Sequence, residues 1–245
     1  MTAGIELASP TIANRRCNWL VNVTLVKRSV PLVINATIMA VCLMGSAGRV
    51  NWSSGWVLIG LSSLTGVAAE VAVGLNPGLA AERRNLQAGK HWDKAMVGFV
   101  VLLGPAATWI TAGLEARQGW STGMPGWAVA AGIVAAAGGG VLLVWAMQSN
   151  AYFSSVVRIQ SDRGQTVVTS GPYRVIRHPG YAGMSLFMLA TPLILASWWA
   201  LVPAAATVAV NIARTALEDR TLRDELAGYA DYARRVKYRL MPLVW

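Results

Sequence analysis

Two short stretches of the chain carry residue types that can bind or move charge. Gly171-Pro172-Tyr173 reads as a turn, because Gly relieves the backbone and Pro presets φ at the next position. Arg177-His178-Pro179-Gly180-Tyr181 follows almost at once. Pro179 biases His178 toward extended backbone, so a helix is expected to start only after it. Arg174, Arg177 and His178 then stand on irregular backbone ahead of an apolar segment, where free helix amides favour an anionic group. A basic anchor before a proline helix start would use the same residues, so this stretch alone leaves both readings open. Further on, Arg214, Glu218 and Asp219 emerge from the last apolar run. Arg214 and Glu218 stand at i,i+4 on one helix face, where they can pair. They read equally as a weak ion pair on a solvated helix end and as a cation and an anion at the mouth of a half-buried cavity.

Other chemistry is scarce. Cys17 and Cys42 form no C-x-x-C, and with only His91 and His178 besides, a zinc or haem site is nearly excluded. No metal site is expected. His91, in Lys90-His91-Trp92-Asp93, reads as a surface loop residue rather than a base. Gly138-Gly139-Gly140 lies inside an apolar run and reads as a close helix–helix contact rather than a phosphate loop. No G-x-G-x-x-G and no Walker sequence occurs, so a soluble-type nucleotide fold is absent. Glu70 is the one acid deep inside an apolar run, and it either pairs with a neighbouring helix or lines a cavity.

The elements that must position these residues are membrane helices. Apolar residues make up 55% of the 245 and charged residues 13%, which is too little polar surface for a water-soluble fold of this size. Four charge-poor runs, 30–48, 56–75, 95–114 and 127–147, reach the length of about 20 residues that crosses a bilayer. Two shorter runs, 182–196 and 198–213, join at Ser197 as a tilted or partial hairpin. Of the 21 basic residues, only Arg49 and Arg117 fall on one side of this arrangement. That asymmetry predicts an all-α, polytopic protein of about six membrane helices with both termini in the cytoplasm. The formal charge of +10 therefore faces anionic lipid headgroups rather than nucleic acid. Residues 11–28 place Ile12, Trp19, Leu20, Val23 and Val26 near one helical face, which suits an interfacial arm over 1–29. A signal peptide ending near Gly45-Ser46-Ala47 is disfavoured, because the run is long and its removal would spoil the topology. The loops 49–55 and 115–126 hold no convergent reactive set, whereas 148–180 and 214–245 carry most of the ionisable side chains. The chain thus divides into the arm 1–29, four spans over 30–147 with a cytoplasmic loop 76–94, and a catalytic region 148–245 built around the hairpin 182–213.

At this point a resemblance carries further. Val168-Thr-Ser-Gly-Pro-Tyr-Arg-Val-Ile-Arg-His-Pro-Gly-Tyr181 resembles the signature of the isoprenylcysteine carboxyl methyltransferase family, which groups with the phospholipid methyltransferases. Its second half is matched by Arg214-x-x-x-Glu218-Asp219-x-x-Leu222, Gly228-Tyr229-x-x-Tyr232 and Val236-Lys-Tyr-Arg-Leu-Met-Pro242. Asn76-Pro77, Glu82-Arg83 and Lys90-x-Trp92-Asp93 resemble the loop of bacterial members. The resemblance is specific over 148–242, looser over 56–147, and does not include 1–29. It implies an integral-membrane methyltransferase using S-adenosylmethionine and releasing S-adenosylhomocysteine, with a cytoplasm-facing cofactor pocket under C-terminal helices and a tunnel that admits a lipophilic or lipidated substrate from the bilayer. Carried over by position, the cofactor contacts are Gln165, Thr166, Val167, Val168, Tyr173, His178, Pro179, Gly180, Tyr181 and Glu218, and Arg214 faces the substrate. Gln165 stands where relatives commonly have His, and Asp219 replaces the second Glu of a Glu-Glu pair.

The chemistry agrees. A carboxylate acceptor with a pKa near 4 is ionised at pH 7 and needs no general base, only alignment and removal of water. Arg214 could orient it through a bidentate pair. Carboxyl methylation of an isoprenylcysteine-like substrate is the expected reaction, with phospholipid amine N-methylation, which would need His178 or a carboxylate as base, and thiol S-methylation as alternatives. An NADPH-dependent sterol reductase and a non-enzymatic transporter or scaffold are more remote, since a transporter predicts repeated halves or several intramembrane charges. For an Ala-rich bacterial chain the location would be the inner membrane.

Overall fold

The computed structural model describes residues 10–82 and 89–245, with the side chains of 10–28, 77, 80 and 81 outside that description. The amphipathic face expected over 11–28, and Arg83 and Arg84, lie outside the described side chains. Helix α1 (Pro10–Ala47) runs without a break from the arm into the first span. It is followed by α2 (Ser53–Gly74), the short α3 (Pro77–Glu82), α4 (His91–Gly98), α5 (Gly104–Gln118) and α6 (Gly126–Ser149). Helices α7 (Pro179–Ile194), α8 (Leu201–Glu225) and α9 (Tyr229–Arg235) complete the order. Among the described residues there is no strand, only a single parallel bridge between Ile176 and Tyr238.

Four stretches are long and apolar enough to cross a membrane: Ser29–Ala47, Ser53–Gly74, His91–Gln118 and Gly126–Ser149. The third contains a π-helical turn, Phe99–Leu103, between α4 and α5. Pro105 explains it: Pro has no N–H to give, and its ring pushes away the carbonyl one turn back, so the ladder opens there. Outward-facing Val33, Val41, Leu64, Leu103, Val134, Val141 and Val202 are exposed in a row of helices, an arrangement stable against hydrocarbon and not against water. Met39, Leu43, Leu58 and Ile194 form the packed centre. On the side opposite the basic loops, Trp56, Trp120, Trp127, Trp198 and Trp199 stand exposed, the belt expected where helices meet headgroups.

The glycine triplet is divided between two neighbours. A Cβ on Gly139 would come 2.6 Å from the Gly183 carbonyl, and one on Gly183 would come 2.5 Å from the Gly139 carbonyl, so α6 and α7 touch backbone to backbone. Gly140 instead admits Thr65 of α2, while a Cβ on Gly138 would meet nothing within 4 Å.

The hairpin differs from the expected pair of short runs. Helix α7 has 16 residues, but α8 has 25 and continues 12 residues beyond the end of apolar sequence at Ala213. A helix needs only continuous hydrogen bonding, not continuous apolarity, so its last three turns leave the bilayer carrying Arg214, Glu218 and Asp219. At the other end the hairpin turn meets the last turns of α5. Glu115, 4% exposed, accepts hydrogen bonds from the Ser197 hydroxyl, from Ser121, and from the Trp198 and Trp199 amides at 3.3 and 3.1 Å. The tip therefore lies level with the end of a full-length span. Glu115 thus gathers neutral donors from its own loop and from the hairpin tip, a structural arrangement rather than a reactive set.

Candidate active site

The segment from Asn150 to the start of α7 has little regular structure beyond 3-10 turns at Ser161–Arg163 and Gly171–Arg174. It wraps the end of α6 and the charged end of α8, and between them lies a cavity of about 460 Å³. Its wall includes Gln165, Thr166, Val167, Val168, Tyr173, His178, Gly180, Tyr181, Arg214 and Glu218. Of the residues assigned to cofactor or substrate by the resemblance, only Pro179 is absent from the wall. It opens α7, with His178 as the residue before the helix at φ −126° and ψ 61°.

Arg214 does not pair with Glu218. Its Nε and Nη2 donate to the two carboxylate oxygens of Asp93 at 2.6 and 3.2 Å, and Nη2 also donates to the Ser155 carbonyl at 2.9 Å. Asp93 is fully buried, and its Oδ2 also accepts from the Val157 amide at 2.7 Å. A buried carboxylate without a cation is far more costly than an i,i+4 pair is favourable, so the tertiary partner wins. The guanidinium lies 5.0 Å from the centroid of the Tyr181 ring. Glu218 instead accepts the Tyr181 hydroxyl hydrogen. It forms no ion pair among the described residues, so a carboxylate faces the cavity with a neutral phenol as its only side-chain donor.

Asp219 points away from this face into a separate hub. It accepts Arg177 through both Nε (2.7 Å) and Nη2 (3.1 Å), Arg223 at 3.1 Å, Arg239 at 3.0 Å and the Tyr229 hydroxyl at 3.0 Å. His178 Nε2 sits 3.3 Å from both Asp219 and Tyr229. Burial alone would raise the Asp219 pKa, but His178, Arg177 and Arg239 outweigh it and hold the carboxyl far below the ordinary range. Burial pushes the phenols the other way: Tyr229 and Tyr173 go up strongly, and Tyr232 is pushed up to about 12. All three rings are therefore neutral hydrogen-bonding groups. Tyr173 accepts from Asn150 Nδ2 at 3.2 Å, and its carbonyl takes the Tyr232 hydroxyl at 2.7 Å. Gly228, at φ +81°, makes the left-handed turn that swings α9 and both tyrosines back over the cavity.

Gln165 contributes half of its amide to the scaffold, its Oε1 accepting from the Gln160 amide at 2.7 Å. Gln160, buried and in the wall, is in turn held by Tyr152 and Arg163. A third pin joins distant parts: Glu82 takes Arg158 through two nitrogens, with Ser154 as a further donor. Hydrogen bonding from Arg158 lowers the Glu82 pKa against the opposing effect of burial.

A second cavity of about 510 Å³ lies among α1, α2, α5, α6, α7 and α8, and Glu70 is in its wall. Several of its hydroxyls are already used within their own helices: Thr65, Thr108, Thr191 and Thr207 each donate to the carbonyl four residues back. They present methyl groups to a mostly apolar space. Ala69, Val101, Leu143 and Met184 line both cavities, so the two spaces adjoin.

Residues 127–227 match the phospholipid methyltransferase family. The fold is similar to that of a eukaryotic intramembrane Ras methyltransferase, isoprenylcysteine carboxyl methyltransferase, solved without a monobody. The TM-score is 0.58 over 96% of this chain and 88% of that one, at 15% identity. No curated protein sequence matches the chain.

Proposed function

We propose that the chain, whose residues 127–227 match the phospholipid methyltransferase family and whose fold is similar to that of isoprenylcysteine carboxyl methyltransferase, moves a methyl group from S-adenosylmethionine to a lipophilic acceptor, an isoprenylcysteine-like carboxylate. The observation that carries this reading is the junction of the two cavities. A chamber lined by Glu218 and Arg214 adjoins a second chamber among the membrane helices, through Ala69, Val101, Leu143 and Met184.

The residues present fit the cofactor. Glu218 offers a carboxylate with no cationic partner among the described residues, suited to an ammonium or ribose hydroxyl. Val167, Leu222, Leu226 and the neutral tyrosines Tyr229 and Tyr232 offer an apolar and aromatic wall for a purine ring. When bound, S-adenosylmethionine supplies an electrophilic methyl group on a sulfonium. His178 serves as a positioning residue, held beside Asp219 at the foot of α7.

At the acceptor end Arg214 supplies less than a full fork. Its Nε–Nη2 edge belongs to Asp93, so Nη1 is the nitrogen left for substrate and the expected bidentate contact becomes a single hydrogen bond. An acceptor carboxylate is ionised at neutral pH. Arg214 then has only to aim it, in a chamber whose wall includes residues 153–157, and displacing water from there would strengthen each contact. A second reading draws on the same pair. With Arg214 neutralised by Asp93, the acceptor end also tolerates an uncharged amine, as in a phospholipid headgroup, and Glu218 or His178 would then receive the proton lost.

The test is transfer of labelled methyl from S-adenosylmethionine, by the purified protein in lipid nanodiscs, to three acceptors offered separately: an S-farnesyl cysteine derivative, phosphatidylethanolamine and a long-chain thiol. Base-labile label on the first is the expected result. Base-stable label on the lipid amine installs the second reading, and no transfer to any of the three contradicts both.

A further inference from the structure

The regions outside the membrane helices, 148–180 and 214–245, expose few large apolar side chains. Among the described residues these are Val175, Leu217, Met241, Leu243 and Val244, and four of the five belong to the C-terminal segment and the loop before α7, which are bonded to each other at 176–178 and 238–239. Met241, Leu243 and Val244 are 58, 88 and 72% exposed. Such a cluster beside a charged surface is unfavourable in water and marks a place that something covers.

Its position says what covers it. The C-terminal segment is bonded to the backbone just ahead of α7: the Arg177 amide donates to the Tyr238 carbonyl and the His178 amide to the Arg239 carbonyl, both at 2.9 Å. Val175 follows the 3-10 turn Gly171–Arg174, and a Cβ on Gly171 would lie 2.2 Å from Ser149 Oγ and 3.3 Å from Trp145 Nε1, at the end of α6. The cluster thus stands level with the point where α6 leaves the bilayer and α7 enters it. Its charge is of one sign. Between Tyr232 and Trp245 the chain holds Arg234, Arg235, Lys237 and Arg239 and no acid, and exposed Arg174 lies on the neighbouring turn. The segment is also shaped rather than loose. The Trp245 carbonyl accepts from the Arg239, Leu240 and Met241 amides at 2.8, 3.0 and 3.3 Å, and the Arg239 guanidinium lies 4.6 Å from the Trp245 ring centroid.

We propose that residues 240–245, together with Val175, form an interfacial anchor seated in the anionic headgroup layer of the leaflet at which α6 ends and α7 begins. Apolar side chains enter the acyl boundary while exposed Arg174, Arg235 and Lys237 meet lipid phosphate, Arg234 and Arg239 being paired with Asp231 and Asp219. The anchor bears on the cavity, because the same segment supplies the carbonyls that fix Arg177 and His178 and sends Arg239 to Asp219. It is independent of the acceptor's identity and of methyl transfer.

The test places a nitroxide label on Leu243→Cys, and separately on Val244→Cys, in a Cys17→Ala/Cys42→Ala background. The full protein is reconstituted in nanodiscs of phosphatidylcholine with or without phosphatidylglycerol. Collision with oxygen and with a water-soluble nickel chelate is compared with labels at Val141→Cys on the lipid face of α6 and at exposed Arg220→Cys. Oxygen-dominated contact at 243 and 244 in the anionic discs, weakening toward nickel contact without phosphatidylglycerol, is expected. Nickel contact equal to that at 220 in both lipids overturns the anchor. Oxygen-dominated contact that ignores phosphatidylglycerol overturns its preference for anionic lipid.

Discussion

Two buried carboxylates near opposite ends of the helical bundle are satisfied in opposite ways. Glu115 is surrounded by neutral donors, the hydroxyls of Ser121 and Ser197 and the amides of Trp198 and Trp199. Asp219 is surrounded by cations, with Arg177 bidentate and Arg223, Arg239 and His178 beside it. Neutral donors fix the geometry of the hairpin tip and bring no charge of their own to Glu115. Cations around a carboxylate let three arginines stand close together beside the cavity without repelling one another, and they tie the loop before α7, α8 and the C-terminal segment into one body. The difference separates a purely structural carboxylate from one that supports a site.

Removing each carboxylate in turn should break the comparison unequally. Asp219→Ala leaves Arg177 buried without its counter-charge and should cost about 3–5 kcal/mol, the range for one partner lost from a buried pair. In detergent this reads as a drop in thermal midpoint together with loss of S-adenosylhomocysteine binding. Asp93→Asn keeps the shape of its side chain but removes the charge that holds Arg214. It should reduce turnover at least tenfold while S-adenosylhomocysteine affinity stays within about twofold, because Arg214 is assigned to the acceptor and not to the cofactor. An equal loss of both would move Asp93 from positioning to folding. Glu115→Gln keeps an acceptor oxygen for its neutral donors and should cost only about 1 kcal/mol, with cofactor affinity unchanged.

Acid sharpens the same contrast. The folded-state pKa of Asp219 is lowered, so its stabilisation is fully present above the ordinary aspartate value of about 3.9 and is lost as pH falls below it toward the depressed folded value. Thermal midpoints followed downward from pH 6 should hold until about pH 4 and then fall. Asp219→Asn should remove the part of that fall which the aspartate causes.

What sequence could reveal divides along the same line between local and distant. Four spans follow from runs of apolar residues, and the close helix contact at Gly138-Gly139-Gly140 follows from small residues inside such a run, because each is a property of neighbours in the chain. The residues assigned to cofactor and substrate were legible as a pattern, and all but Pro179 reach the cavity wall. The partners that organise them were not. Arg214 and Asp93 are 121 residues apart, Arg158 and Glu82 are 76, and Ser197 and Glu115 are 82. No periodicity records which single acid meets which single arginine across that distance. The i,i+4 rule offered Glu218 to Arg214 because it sees only one helix. The length of α8 was missed for a related reason, since its last turns are helical but no longer apolar. Gly228 was visible only as a motif letter, and its left-handed turn explains why that letter is Gly.

The central claim, that the chamber holding Glu218 receives S-adenosylmethionine, is tested most directly by calorimetric titration of the detergent-purified protein with S-adenosylhomocysteine, beside NADPH and beside the Glu218→Ala variant. Saturable binding of S-adenosylhomocysteine alone, weakened at least tenfold by Glu218→Ala, is the predicted result. Binding of NADPH alone, or of neither ligand, would contradict it.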